Sequence, residues 1–121
     1  MSSSSTIAKR LEGKTIVITG ASSGIGKSIA KEFARTSPGN LKLILTARRI
    51  TNLREVAAEI HQEAGDGVKV LPVQLDVSKP EEIEQFVPSL PDEFKDVDIL
   101  VNNACVFIIH DHLHVCLAYA N

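Results

Sequence analysis

Thr15-Ile16-Val17-Ile18-Thr19-Gly20-Ala21-Ser22-Ser23-Gly24-Ile25-Gly26 decides the fold. Its first half is an apolar, β-branched run of the kind that forms a buried strand. Three glycines follow, and then Ile29, Ala30, Phe33 and Ala34 recur at helical spacing. The order is strand, glycine-rich turn, helix, which is the setting of a dinucleotide-binding turn. Gly20 lets the chain leave the strand sharply. Gly24 removes a Cβ that would block a pyrophosphate, and Gly26 lets the helix pack tightly on the sheet. The helix start offers free N–H groups and a positive dipole end to phosphates, and Ser22 and Ser23 add hydroxyl donors.

The rest of the chain repeats the alternation. The first helix is expected from about Gly24 to Thr36, stopped by Ser37-Pro38-Gly39-Asn40. Leu41 to Thr46 reads as a second strand and is followed by Ala47-Arg48-Arg49. An NAD-preferring site places an acid at this strand end to bond the ribose 2′-hydroxyl. Two arginines stand there instead, and guanidinium groups match a phosphate in shape and charge, which favours the 2′-phosphate of NADP. A solvated arginine pair at a helix start is the plainer alternative. Leu53, Val56, Ala57 and Ile60 form the apolar stripe of a second helix, from about Thr51 to Ala64. Val68 to Leu75 is a third strand, placed at a sheet edge by Pro72. Ser78 and Glu81 have capping-box spacing for a third helix, with Ile83, Phe86, Val87 and Leu90 as its buried face and Pro88 expected to end or kink it. After a polar connection from Pro91, the stretch Asp98 to Ala104 reads as a fourth strand, polar at its carboxyl end. The fold class is therefore α/β: a partial Rossmann, doubly wound parallel sheet of order 3-2-1-4 with three helices and an atypical C-terminal tail.

Composition narrows the function classes. In 121 residues there is room for one domain, and a formal net charge of -2 argues against a general nucleic-acid binder. No apolar run reaches the roughly 18 residues of a membrane span, and the serine-rich start lacks the apolar core of a secretory signal, so a cytoplasmic protein is expected. Cys105 and Cys116 form no metal or redox motif by spacing. Gly13-Lys14-Thr15 ends like a P-loop, but Ala8 stands where the other glycine belongs and the triplet opens a strand instead of following one.

The pattern Thr19-Gly20-x-x-x-Gly24-Ile25-Gly26 resembles the short-chain dehydrogenase/reductase family. Asp76-Val77 and Asn102-Asn103-Ala104 match further motifs of that family in order, so the resemblance covers Thr15 to Ala104. It is most similar to fungal NADP-dependent 3-hydroxy acid (serine-type) dehydrogenases. The resemblance implies cofactor contacts from Gly20, Ser22, Ser23, Gly24, Ile25, Gly26, Arg48, Arg49, Asp76, Val77, Asn103 and Ala104. Asp76 is implied to accept from the adenine amino group, although a capping role competes. Asn102 is implied to tie neighbouring strands. The activity implied is hydride transfer between NADP(H) and a small hydroxy acid or alcohol, in a complete form that is a homo-oligomer.

After Ala104 the motif match stops: Cys105 replaces the family's glycine. The family's catalytic Ser and Tyr-x-x-x-Lys do not follow. Tyr119 is the one tyrosine and has no lysine after it, so no catalytic residue is assigned. His110, His112 and His114 alternate as three imidazoles on one face of a strand would, a spacing open to zinc, but no partner motif supports a site. The expected organisation is a polar lead-in over 1–12, an NADP-binding half-domain over 13–104 and a non-family tail over 105–121. That tail is read as an unspliced intron or a shifted frame. A fourth strand left at an open edge implies marginal stability and aggregation. On this reading the chain is a truncated cofactor-binding half, inactive alone, with a non-enzymatic NADP(H)-binding module as the alternative.

Overall fold

The computed structural model describes residues 9–22 and 24–103. Four strands alternate with helices: β1 (Thr15–Thr19), α1 (Gly24–Thr36), β2 (Leu41–Ala47), α2 (Ile50–Ala64), β3 (Val68–Gln74), α3 (Pro80–Phe86) and β4 (Ile99–Val101), with a short 3-10 turn at Asp92–Phe94. All strand pairs are parallel, in the order β3-β2-β1-β4. This is the expected order, and Pro72 lies on the edge strand, where its missing N–H leaves no inner ladder bond unmade. Each crossover carries the chain over one face of the sheet and returns it parallel to its neighbour.

Alternation along the strands sorts the core into two layers. Ile16, Ile18, Leu41, Leu43 and Leu45 meet Ala30 and Ala34 of α1 and Leu53, Val56 and Ile60 of α2. Small alanines let α1 lie close to the sheet, while larger residues fill the gap under α2. Leu11, in the polar-looking lead-in, also joins this layer. Val17 and Ile44 face the other side, where Leu90 and Phe94 cover them.

The third crossover departs from expectation. Ile83 and Val87 are exposed instead of forming a buried helix face, and Leu90 is buried only after α3 has ended. Pro88 stops the helix, and the polar-looking connection then supplies Phe94 from its 3-10 turn. The Ser78–Glu81 capping box is not made, since Lys79 holds the N-cap position with no side-chain cap and Pro80 opens the helix. β4 is also shorter than the expected strand.

Salt links join α1 to α2. Lys31 donates to Glu59 (2.6 Å) and lies 3.4 Å from Glu63, and Lys27 lies 3.4 Å from Glu59. The Lys31–Glu59 hydrogen bond is the main reason that the amine is pushed above its ordinary pKa and the carboxyl held below it. Water still reaches these partly exposed pairs, so they add little stability.

Where α1 ends and β3 begins, two loops touch. The Gly67 carbonyl accepts from Leu41 N–H (3.0 Å). A Cβ on Gly67 would run into the backbone carbonyl oxygens of Pro38 and Gly39. Neither can rotate away. Gly67→Ala is expected to lose about 1–3 kcal/mol of stability through overpacking, read as a lower urea midpoint at unchanged slope.

Candidate functional site

A cavity of about 560 Å³ opens at the carboxyl ends of the strands. Parallel sheets present their loops there, so residues distant in sequence converge. Gly20 and Ser22 come from the first turn, Arg48, Arg49 and Asn52 from the β2–α2 junction, Asp76 and Val77 from beyond β3, and Asn103 from beyond β4. Seven of the expected site residues thus share one cavity wall. Gly24, Ile25 and Gly26 do not line it, and Ser23 and Ala104 lie outside the described residues. So do His110, His112 and His114; among the described residues no cluster of three or more His, Cys, Asp or Glu could hold a metal ion.

The three glycines differ in kind. Gly20 (φ 63°) and Gly24 (φ 62°) adopt the left-handed conformation that a side chain disfavours. Open space stands where a Gly24 Cβ would be, whereas a Cβ on Gly26 would strike the Gly20 carbonyl oxygen and Asn103 Nδ2. Gly26 is therefore a packing glycine. Ile25, just before it, is 46% exposed.

A relay of hydrogen bonds holds this corner. Thr19 Oγ1 donates to Asn102 Oδ1 (2.9 Å) and accepts from Asn103 N–H (2.8 Å). Asn103 Nδ2 then donates to the Gly20 carbonyl (3.1 Å). One hydroxyl thus fixes the end of β4 against the end of β1. Among the described residues, Asn103 Oδ1 and Thr46 Oγ1 are buried without a hydrogen-bond partner. Buried polar atoms usually find partners, so these two are a local cost of the fold at this corner.

Arg48 and Arg49 head α2. Arg49 is its N-cap residue, with no side-chain cap bond and no acid in the first turn. The positive helix end is left with cations beside it, the reverse of the arrangement that favours an isolated helix. Asn52, which the sequence reading passed over, stands in the first turn of α2 on the cavity wall. A short amide at that helical position, next to Arg49, was the available signal.

Asp76 is held from both sides. Its N–H donates to Glu82 Oε1 (2.9 Å), and its Oδ1 accepts from Ser78 N–H (3.0 Å) and Ser78 Oγ (2.6 Å). Ser78 therefore serves the Asp76 turn instead of capping α3. Its hydrogen bonds hold the Asp76 carboxyl below the usual aspartate range, with Lys79 and Arg48 adding favourable charge.

The sequence profile of the family described as short chain dehydrogenase matches residues 14–118. An NADP-dependent 3-hydroxy acid dehydrogenase of Schizosaccharomyces pombe is 54% identical over 95 residues, covering 78% of this chain and 35% of that protein. An 11-beta-hydroxysteroid dehydrogenase 1A of Arabidopsis thaliana is 45% identical over 101 residues, covering 84% of this chain and 28% of its own. Among solved structures, the L-sorbose reductase of Gluconobacter frateurii in complex with NADPH and L-sorbose superposes with a TM-score of 0.68 at 42% identity, over 78% of this chain and 34% of that one. An alcohol dehydrogenase of Thermococcus sibiricus complexed with 5-hydroxy-NADP gives 0.66 at 45% identity, over 75% and 37%. The chain spans about a third of the length of the curated relatives it matches.

Two outcomes are expected. Thr19→Val keeps the shape but strands Asn102 Oδ1 and the Asn103 N–H, so urea unfolding should show a loss of about 2–4 kcal/mol. For Asp76, the unfolded chain takes up its proton at higher pH than the folded one. Its contribution is therefore full above the ordinary aspartate range and fades as pH falls through the lower folded value. The stability gap between wild type and Asp76→Asn should accordingly narrow in an acid titration followed by urea unfolding.

Proposed function

The chain belongs to the short-chain dehydrogenase family, and from that premise we propose that residues 13–104 form the NADP-binding half of an oxidoreductase acting on a small hydroxy acid or alcohol. The observation that carries the NADP reading is the start of α2. It has no side-chain cap and no acid in its first turn, and Arg48 and Arg49 stand at its head. A 2′-phosphate placed there accepts from the free helix N–H groups and from both guanidiniums. An NAD site needs a carboxylate at this point, and none is present.

The remaining wall suits the rest of the adenosine half. Asp76 hydrogen-bonds Ser78 only through Oδ1, and its ionised carboxylate suits the adenine amino group. Gly20, left-handed and without a Cβ, and the Ser22 hydroxyl stand on the cavity wall where a phosphate can approach. When bound, the nicotinamide supplies the hydride chemistry; these residues bind and orient the nucleotide.

Turnover is not assigned to the 121-residue chain, because it contains no Tyr-x-x-x-Lys to move the proton. The alternative reading is a non-enzymatic module that holds NADP(H).

The test is equilibrium binding of 2′-phospho-AMP and 5′-AMP. The phosphorylated nucleotide should bind at least about tenfold tighter, a gap matching one or two charge-assisted hydrogen bonds. Arg48→Ala combined with Arg49→Ala should remove that preference while moving 5′-AMP affinity by less than about twofold. Equal affinities in the wild type would overturn the NADP assignment. Oxidation of 3-hydroxybutyrate or serine with NADP by the same preparation would refute the non-enzymatic reading.

A further inference from the structure

Three successive carbonyls at the end of β2 are each taken by a different donor. The Thr46 carbonyl accepts from Ala21 N–H (3.0 Å) and the Ala47 carbonyl from Leu75 N–H (2.9 Å). The Arg48 carbonyl accepts from the side-chain Nε2 of Gln74 (3.0 Å). The first two are backbone bonds. By the third, the ladder has run out, because β3 ends at Gln74, opposite Ala47. An amide side chain then does what a backbone N–H cannot, and carries the β3–β2 pairing one residue further.

The residue held in this way is the first of the two arginines. Beyond it Arg49 is extended (φ -110°, ψ 111°) and has no side-chain cap of its own. We propose that Gln74 is a positioning residue for Arg48 and Arg49: its hydrogen bond fixes the Arg48 main chain, so that both guanidiniums meet a 2′-phosphate without first losing backbone freedom. This rests on the NADP reading above and extends it to a residue outside the cavity wall. Gln74 is exposed, so its side chain adds little to the core. Its effect falls on ligand selectivity and not on folding.

Gln74→Met keeps the length and removes the donor. Wild type and variant are titrated calorimetrically, as the 121-residue chain, with 2′-phospho-AMP and 5′-AMP, and their thermal midpoints are compared. The variant's preference for the 2′-phosphate should fall about threefold to tenfold, the range expected for one hydrogen bond. Its 5′-AMP affinity should stay within about twofold and its midpoint within about 2 °C, because only the arginine main chain is released. A preference unchanged in Gln74→Met, or an equal fall for both nucleotides, overturns the inference. Wild type with no preference for the 2′-phosphate overturns the NADP reading, and the inference falls with it. A preference present in wild type and reduced only in the variant supports both.

Discussion

The close approach of α1 to the Gly20 carbonyl is the constraint on which the carboxyl end of the sheet depends. There is no room for a single methyl group between Gly26, that carbonyl and the Asn103 amide. Because the helix comes so near, its first turn is packed hard against the end of β1. The Asn103 side chain reaches the same carbonyl, so one oxygen orders the first turn, the first helix and the loop after β4. Thr19 adds the second anchor, donating and accepting with one hydroxyl.

The cavity built on this corner trades stability for reception. Thr46 Oγ1 and Asn103 Oδ1 are buried without hydrogen-bond partners, each a cost of about 1–3 kcal/mol where such a group stays unmatched. Two arginines crowd a positive helix end that an isolated helix would furnish with an acid. Asp76 is immobilised by Ser78 and Glu82 while Arg48 favours its charged form. The orphaned atoms and the crowded helix end are costly, whereas the Asp76 turn is stabilising in itself. They share one wall, and that coincidence gives the functional reading its weight.

The sequence made the parts ruled by local chemistry legible. The β-branched runs, glycine turn and breaker clusters located the strands and α1, and Pro72 placed β3 at an edge. Most of the expected cavity residues were legible because each sits directly after a strand, and a parallel sheet gathers those points whatever the loops contain. The third crossover was not legible. Ile83 and Val87 have helical spacing, but the helix is too short and too far out to bury them, so Leu90 and Phe94 cover that face from irregular segments without a period to read. Ser78 misled for a related reason: the same short hydroxyl serves a helix cap or an aspartate turn, and only Pro80 and the position of Glu82 decide between them. Gln74 bonds a carbonyl at the end of the neighbouring strand, which no linear pattern encodes.

β4 shows how the fold handles its weakest element. It is three residues long and pairs only with β1 among the described residues, leaving Leu100 48% exposed. Backbone bonding over so short a strand gives little hold on register. Side chains supply the rest, at both ends. Asp98 exchanges bonds with Thr15, its N–H donating to the Thr15 carbonyl (2.9 Å) and its Oδ2 accepting from Thr15 N–H (2.9 Å). Asn102 and Asn103 close the other end on Thr19. The threonines that bound β1 thus clamp β4 from start to finish. A slip by one residue would break both clamps together and turn Val101 out of the core. Asn103 therefore reaches the cavity at a fixed height, although the strand that carries it is short and paired on one side.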